Sequence, residues 1–126
     1  MPVSYRYDDL ANRLQTRCEG AVTYAEVKEH FKQLTRDARL RANCDVLLDL
    51  TFMEGHATAE QVDEVATRLE DMHELVPFGR CAVVGPEDVT YGLGRMFQGF
   101  AWPTFVGMRV FRTHADAIAW LNEEPD

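Results

Sequence analysis

The chain has 126 residues, of which 46% are apolar and 27% charged, and its formal net charge is −8. That length suits one domain over residues 1–126, since single domains cluster at ~100–150 residues, and seven Phe, four Tyr and two Trp exclude a disordered tail. The acidic balance argues against sequence-independent nucleic-acid binding, which needs a basic stripe to displace counterions, and against docking on an anionic membrane surface.

Residues 3–8 alternate, with Val3, Tyr5 and Tyr7 on one side, and predict a short strand. Residues 12–19 alternate as well: Leu14, Thr16 and Cys18 point one way and Arg13, Gln15, Arg17 and Glu19 the other, until Gly20 breaks the pattern. Thr23 and Glu26 form a capping box ahead of a helix over 24–39, whose apolar face is Tyr24, Val27, Phe31, Leu34 and Ala38. Val46–Leu50 is almost wholly apolar, as a central strand covered on both faces must be. A loop over 51–57 follows, then a second capping box at Thr58 and Gln61. The helix over 59–75 turns Val62, Val65, Ala66, Leu69 and Met72 inward and stops at Pro77 and Gly79. Cys81–Val84 is a second buried strand, ended by Gly85 and Pro86. Asp88 caps a helix over 89–101 with Leu93, Phe97 and Phe100 as its core side. A strand over 108–112 precedes a last helix, capped by Thr113, in which Ala117, Ile118 and Leu121 face inward.

The order β-β-α-β-α-β-α-β-α predicts an α/β fold. Its sheet has about five mostly parallel strands, an antiparallel hairpin at one edge and four packed helices. No apolar stretch approaches the ~18–20 residues that span a bilayer, and Met1–Arg6 lacks the apolar run of a secretory leader. Cys18, Cys44 and Cys81 are scattered and odd in number. The expectation is a reducing cytoplasm with the cysteines as small hydrophobes, Cys81 buried and Cys44 exposed ahead of its strand.

Four stretches carry a family resemblance: Val46–Thr51, Arg80–Val84, Tyr91–Phe97, and Val110–Arg112 with Ala117–Leu121. Together they resemble the STAS domains of the anti-sigma-factor antagonist fold, and within them the SpoIIAA-like (STAS/SEC14-type) small bacterial proteins. The resemblance implies a mixed sheet without a catalytic apparatus, serving as a regulatory protein-interaction module. In well-described members an Asp-Ser pair opens the helix after the "LDL" strand, and phosphorylation of that hydroxyl blocks a partner contact. The corresponding stretch here is His56-Ala57-Thr58, so the Asp is missing and Thr58 is the hydroxyl in register.

The candidate site residues follow from that frame. Thr58 has two readings: a helix N-cap, or a phospho-acceptor and contact hydroxyl at a helix N-terminus. Ligands of open α/β sheets settle beyond the carboxyl ends of the strands, where Thr51, Glu54 and His56 lie on one side and Glu87, Tyr91 and Arg95 on the other. Tyr91, Arg95 and His56 are candidates to hold a small anion; the competing reading pairs Arg95 with a Glu and packs the Tyr91 ring. Asp49, inside an apolar strand, either braces the 51–57 loop or titrates in a site. Trp102, with Met96, lies off the apolar stripe and is a candidate patch for a partner or a homodimer.

No metal is expected, since Glu54, His56, His73 and Glu74 lack ligand spacing, and no cofactor motif occurs: Gly92-Leu93-Gly94 is too short for a dinucleotide fingerprint. Three functions compete. One is a protein-interaction module presenting residues 51–60. The second is a carrier or sensor of a small apolar or anionic, lipid-like ligand, with a pocket near the 89–103 helix. The third is an enzyme, for which no cluster of titratable residues is found.

Overall fold

The computed structural model describes residues 2–55 and 57–123. Strands β1 (Val3–Asp8) and β2 (Arg13–Ala21) open the chain, followed by helix α1 (Tyr24–Arg36) and strand β3 (Cys44–Glu54). Helix α2 (Ala59–Met72), strand β4 (Phe78–Val84), helix α3 (Asp88–Ala101), a 3-10 turn (Trp102–Thr104), strand β5 (Gly107–Phe111) and helix α4 (His114–Asn122) complete it. The sheet runs in the order β1-β2-β3-β4-β5, with β1 antiparallel to β2 and every other pair parallel. The expected α/β order and the central place of the Val46–Leu50 ribbon therefore hold.

Successive parallel strands lie side by side in one direction across the sheet. Right-handed crossovers then put every connecting helix on one face. Accordingly α1, α2 and α3 contribute Leu34, Val62, Leu69 and Phe97 to one core with Leu14, Val46 and Leu50 of the sheet. Helix α4 has no strand after it and folds onto the opposite face, packing Ala117 and Leu121 against Leu47, Ala82 and Val84. Alternation along β3 thus sends Val46 and Leu50 to one core and Leu47 to the other.

Several boundaries differ from expectation for identifiable reasons. Strand β2 does not end at Gly20: that glycine takes φ +65°, which suits it, and the strand continues to Ala21 past a register irregularity between Arg17 and Glu19. Strand β3 runs through Thr51–Glu54, so those residues are strand rather than loop. Helix α1 stops at Arg36 because the Asp37 carboxylate offers the chain another acceptor. It takes the Arg39 amide at 3.1 Å, the Arg39 guanidinium at 2.7 Å and the Tyr5 hydroxyl at 2.9 Å. Helix α2 ends at Met72, where the Leu75 and Val76 amides turn back onto the Met72 carbonyl ahead of Pro77. Glu87, not Asp88, caps α3, and Asp88 pairs instead with Arg112 at 2.9 Å.

Cys44 is fully buried rather than exposed, being the first residue of a central strand. Phe100 is 42% exposed, off the buried stripe of Thr90, Gly94, Phe97 and Ala101. Of the three glycines in α3, Gly94 lets the helix approach the sheet, since a Cβ there would meet Val110 at 2.9 Å and Val83 at 3.0 Å; Gly92 and Gly99 face open space.

Candidate functional site

A cavity of about 420 Å³ lies between the sheet and the layer of α1, α2 and α3. Its walls are apolar: Leu14 and Cys18 from β2, Leu48 and Leu50 from β3, Phe31 from α1 and Val62 from α2. Helix α3 contributes Leu93 and Phe97, so the cavity does touch the 89–103 region, but α1, α2, β2 and β3 supply most of it. It reaches the surface near Thr23, Glu54 and Gln61, all exposed, where both α1 and α2 begin beyond the carboxyl ends of β2 and β3. Both helix starts are closed by capping boxes, with Thr23 accepting from the Glu26 amide at 3.2 Å and Thr58 from the Gln61 amide at 3.1 Å.

Two polar side chains stand inside this apolar space. Thr16, on the inward row of β2, and His30, on the inward side of α1, are 4% and 6% exposed. Thr16 Oγ1 and His30 Nε2 are 3.5 Å apart, at the outer limit of a hydrogen bond. His30 Nδ1 is buried without a partner. Tyr5 meets the imidazole edge-on at 5.5 Å. Burial lowers the His30 pKa to about 4, so the ring is neutral near pH 7. Among the described residues lining the cavity there is no Lys or Arg, and Glu54 at its mouth is the one charged group.

The thiols offer no nucleophile. Burial, and next the charge of Asp49, pushes Cys18 up to about 12; burial and then Asp45 raise Cys81 further. All three cysteines are free and buried. Among the described residues no group of His, Cys, Asp and Glu could hold a metal ion.

The candidate residues read from sequence are not brought to one place. Glu54 lines the mouth of the cavity, and Thr58 is exposed beside it through its bond to Gln61. Asp49 accepts from the Thr51 amide at 2.9 Å and from the Thr51 hydroxyl, which braces the extension of β3 rather than a loop. Tyr91 lies under the Arg112 guanidinium, 4.1 Å from its ring centre, and Arg95 is exposed with no ion pair among the described residues. Tyr91 and Arg95 are absent from the cavity wall. His56 lies outside the described residues. Trp102 is 62% exposed, with Val106 at 70% a few residues on, while Met96 is half-buried.

Thr16 and His30 had no place among the candidates, although both left a signal. Thr16 falls between Leu14 and Cys18 on the inward row of β2, and His30 falls between Val27 and Leu34 on the apolar stripe of α1.

A SpoIIAA-like profile matches residues 13–122, nearly the whole chain. The chain belongs to the SpoIIAA-like family. The fold agrees with a solved structure from Shewanella loihica, a protein of the DUF3478 family with a SpoIIAA-like fold. The two superpose with a TM-score of 0.61 at 18% identity over 94% of this chain and 91% of the other. A comparison with curated proteins gives no match. Among the described residues of this SpoIIAA-like chain, no helix is long and apolar enough to cross a membrane.

Proposed function

We propose that the chain is a non-catalytic carrier or sensor of a small apolar, lipid-like ligand held between its sheet and the α1–α3 layer. The observation that carries this reading is the cavity itself. Its volume of about 420 Å³ falls within the ~300–1,000 Å³ of ligand sites, which are mostly apolar with few polar groups. Close packing is the rule in protein interiors, so a space of this size within a small domain calls for an occupant. An anionic ligand is disfavoured, because no Lys or Arg is among the described residues of the wall, the His30 imidazole is neutral, and Glu54 stands at the mouth. The raised thiol pKa values and the family's generally non-catalytic character support a binding role.

The test is organic extraction and native mass spectrometry of freshly purified protein. A stoichiometric apolar small molecule is expected, and Val62→Phe, which fills the cavity from α2, should abolish it while leaving the fold intact. Protein that carries no ligand and binds no apolar probe would overturn the reading.

A second reading, a STAS-type interaction module, is favoured by one observation: the exposed Thr58 is bonded to Gln61, whose side chain also lines the cavity. Residues 51–60 are then the surface a partner senses. Thr58→Glu should weaken partner binding where Thr58→Ala does not, and equal behaviour of the two rejects a phosphate-dependent contact.

A further inference from the structure

Resting on the carrier reading, we infer that the ligand bears one uncharged hydrogen-bonding group, a hydroxyl or a carbonyl, seated against Thr16 and His30. The ligand class is therefore a neutral amphiphile such as a long-chain alcohol, rather than a pure hydrocarbon or a fatty-acid anion.

The first support is an unmet valence. Buried polar groups in folded proteins are nearly always hydrogen-bonded, and one left unpaired is costly. His30 is a residue of this wall, and its Nδ1 is buried with no partner among the described residues. The Thr16 hydroxyl has only a 3.5 Å approach to Nε2 among the described residues. The two side chains face each other from β2 and α1, and both line the cavity. A hydroxyl can donate and accept at once. It therefore complements a pair made of a neutral imidazole and a threonine hydroxyl, each able to do the same.

The second support is the charge of the wall. An ionised carboxylate would need a cation or several amides in so apolar a space. No Lys or Arg is among the described lining residues, and burial keeps the imidazole neutral at pH 7. Glu54 repels an anion at the mouth, and one amide at each nearby helix start, that of Glu26 and that of Gln61, is taken by the Thr23 and Thr58 caps.

The third support is depth. His30 lies seven residues beyond the Thr23 cap. At ~1.5 Å rise per residue the pair sits ~10 Å along the wall from the helix start, so the polar group of a ligand goes inward and is not left at the surface.

The experiment is displacement of the neutral fluorophore N-phenyl-naphthylamine at pH 7 by dodecanol, dodecane and dodecanoate. Wild-type protein should prefer dodecanol to dodecane by about tenfold, the value of one well-made hydrogen bond, and to dodecanoate by more, since an unpaired buried charge costs more than one hydrogen bond. Thr16→Val keeps the side-chain shape and should erase the preference over dodecane while dodecane itself binds unchanged. His30→Phe should do the same, and if it fails to fold Thr16→Val decides alone. Equal affinity for dodecanol and dodecane in the wild type, or tighter dodecanoate, overturns the polar anchor and leaves the carrier reading standing. Failure of the fluorophore and of all three ligands to bind overturns both.

Discussion

The two faces of one sheet are packed by opposite rules. On the face of α4, small side chains let the helix lie close: Ala82 and Ala117 are fully buried, and Leu47, Val84 and Leu121 close the space between them. The Arg80 guanidinium locks this face by donating to the Trp120 and Leu121 carbonyls at 3.0 and 2.7 Å, a cation placed at the negative end of α4. Asp45 holds the Arg80 amide at 2.8 Å. On the other face three helices span the same strands and leave about 420 Å³ unfilled, with a neutral imidazole and a hydroxyl inside. One face holds the fold together, and the other leaves room for an occupant.

The largest expected effect lies on the tight face. Leu47→Ala removes a side chain only 1% exposed, packed with Ala82, Val84, Ala117 and Leu121. Urea unfolding should show a destabilisation of ~2–5 kcal/mol. A smaller cost would mean that α4 collapses onto the gap, and the contrast between faces would weaken.

The next effect reads the loose face through pH. His30 titrates near 4 when folded and near its ordinary 6.5 when unfolded. Above pH 6.5 both states are neutral at this ring. Between pH 6.5 and 4 the unfolded chain takes the proton and the folded one does not, so stability falls as pH falls, by up to ~1.4 kcal/mol per pH unit. His30→Phe should flatten that stretch of the stability profile relative to wild type. A parallel profile would show that the ring is solvated.

Overpacking sharpens the comparison further. Ala117→Leu forces extra volume between α4 and the sheet and should destabilise by ~1–3 kcal/mol. Val62→Leu extends toward the cavity and should fall within ~1 kcal/mol of wild type on either side. Thermal unfolding of the pair checks this; similar losses at both sites would mean that the cavity is not free to accept volume.

The smallest effect is at the rim. Thr58→Ala and Thr23→Ala each remove one capping acceptor, and each should cost ~1 kcal/mol by chemical unfolding. A Thr58 loss near zero beside a normal Thr23 loss would show that Thr58 is kept for something other than its cap.

The element order, three of the four helix caps and the central ribbon could be read along the chain, because those depend on local rules. Alternation gives strand faces, Thr23, Thr58 and Thr113 each take the amide three residues on, and an apolar run must be covered on both sides. Strand ends were less legible, since the passage of β2 through Gly20 and of β3 to Glu54 is settled by pairing with a neighbouring strand. The cavity was legible only as an expected pocket near the 89–103 helix, and its main walls on α1, α2, β2 and β3 were not. Whether three helices close fully on a sheet depends on side chains from seven elements meeting in space, and no local pattern states their sum. Tertiary structure alone brought Thr16 to His30 across fourteen residues of chain, and it separated Tyr91 and Arg95 from the cavity wall that Glu54 shares.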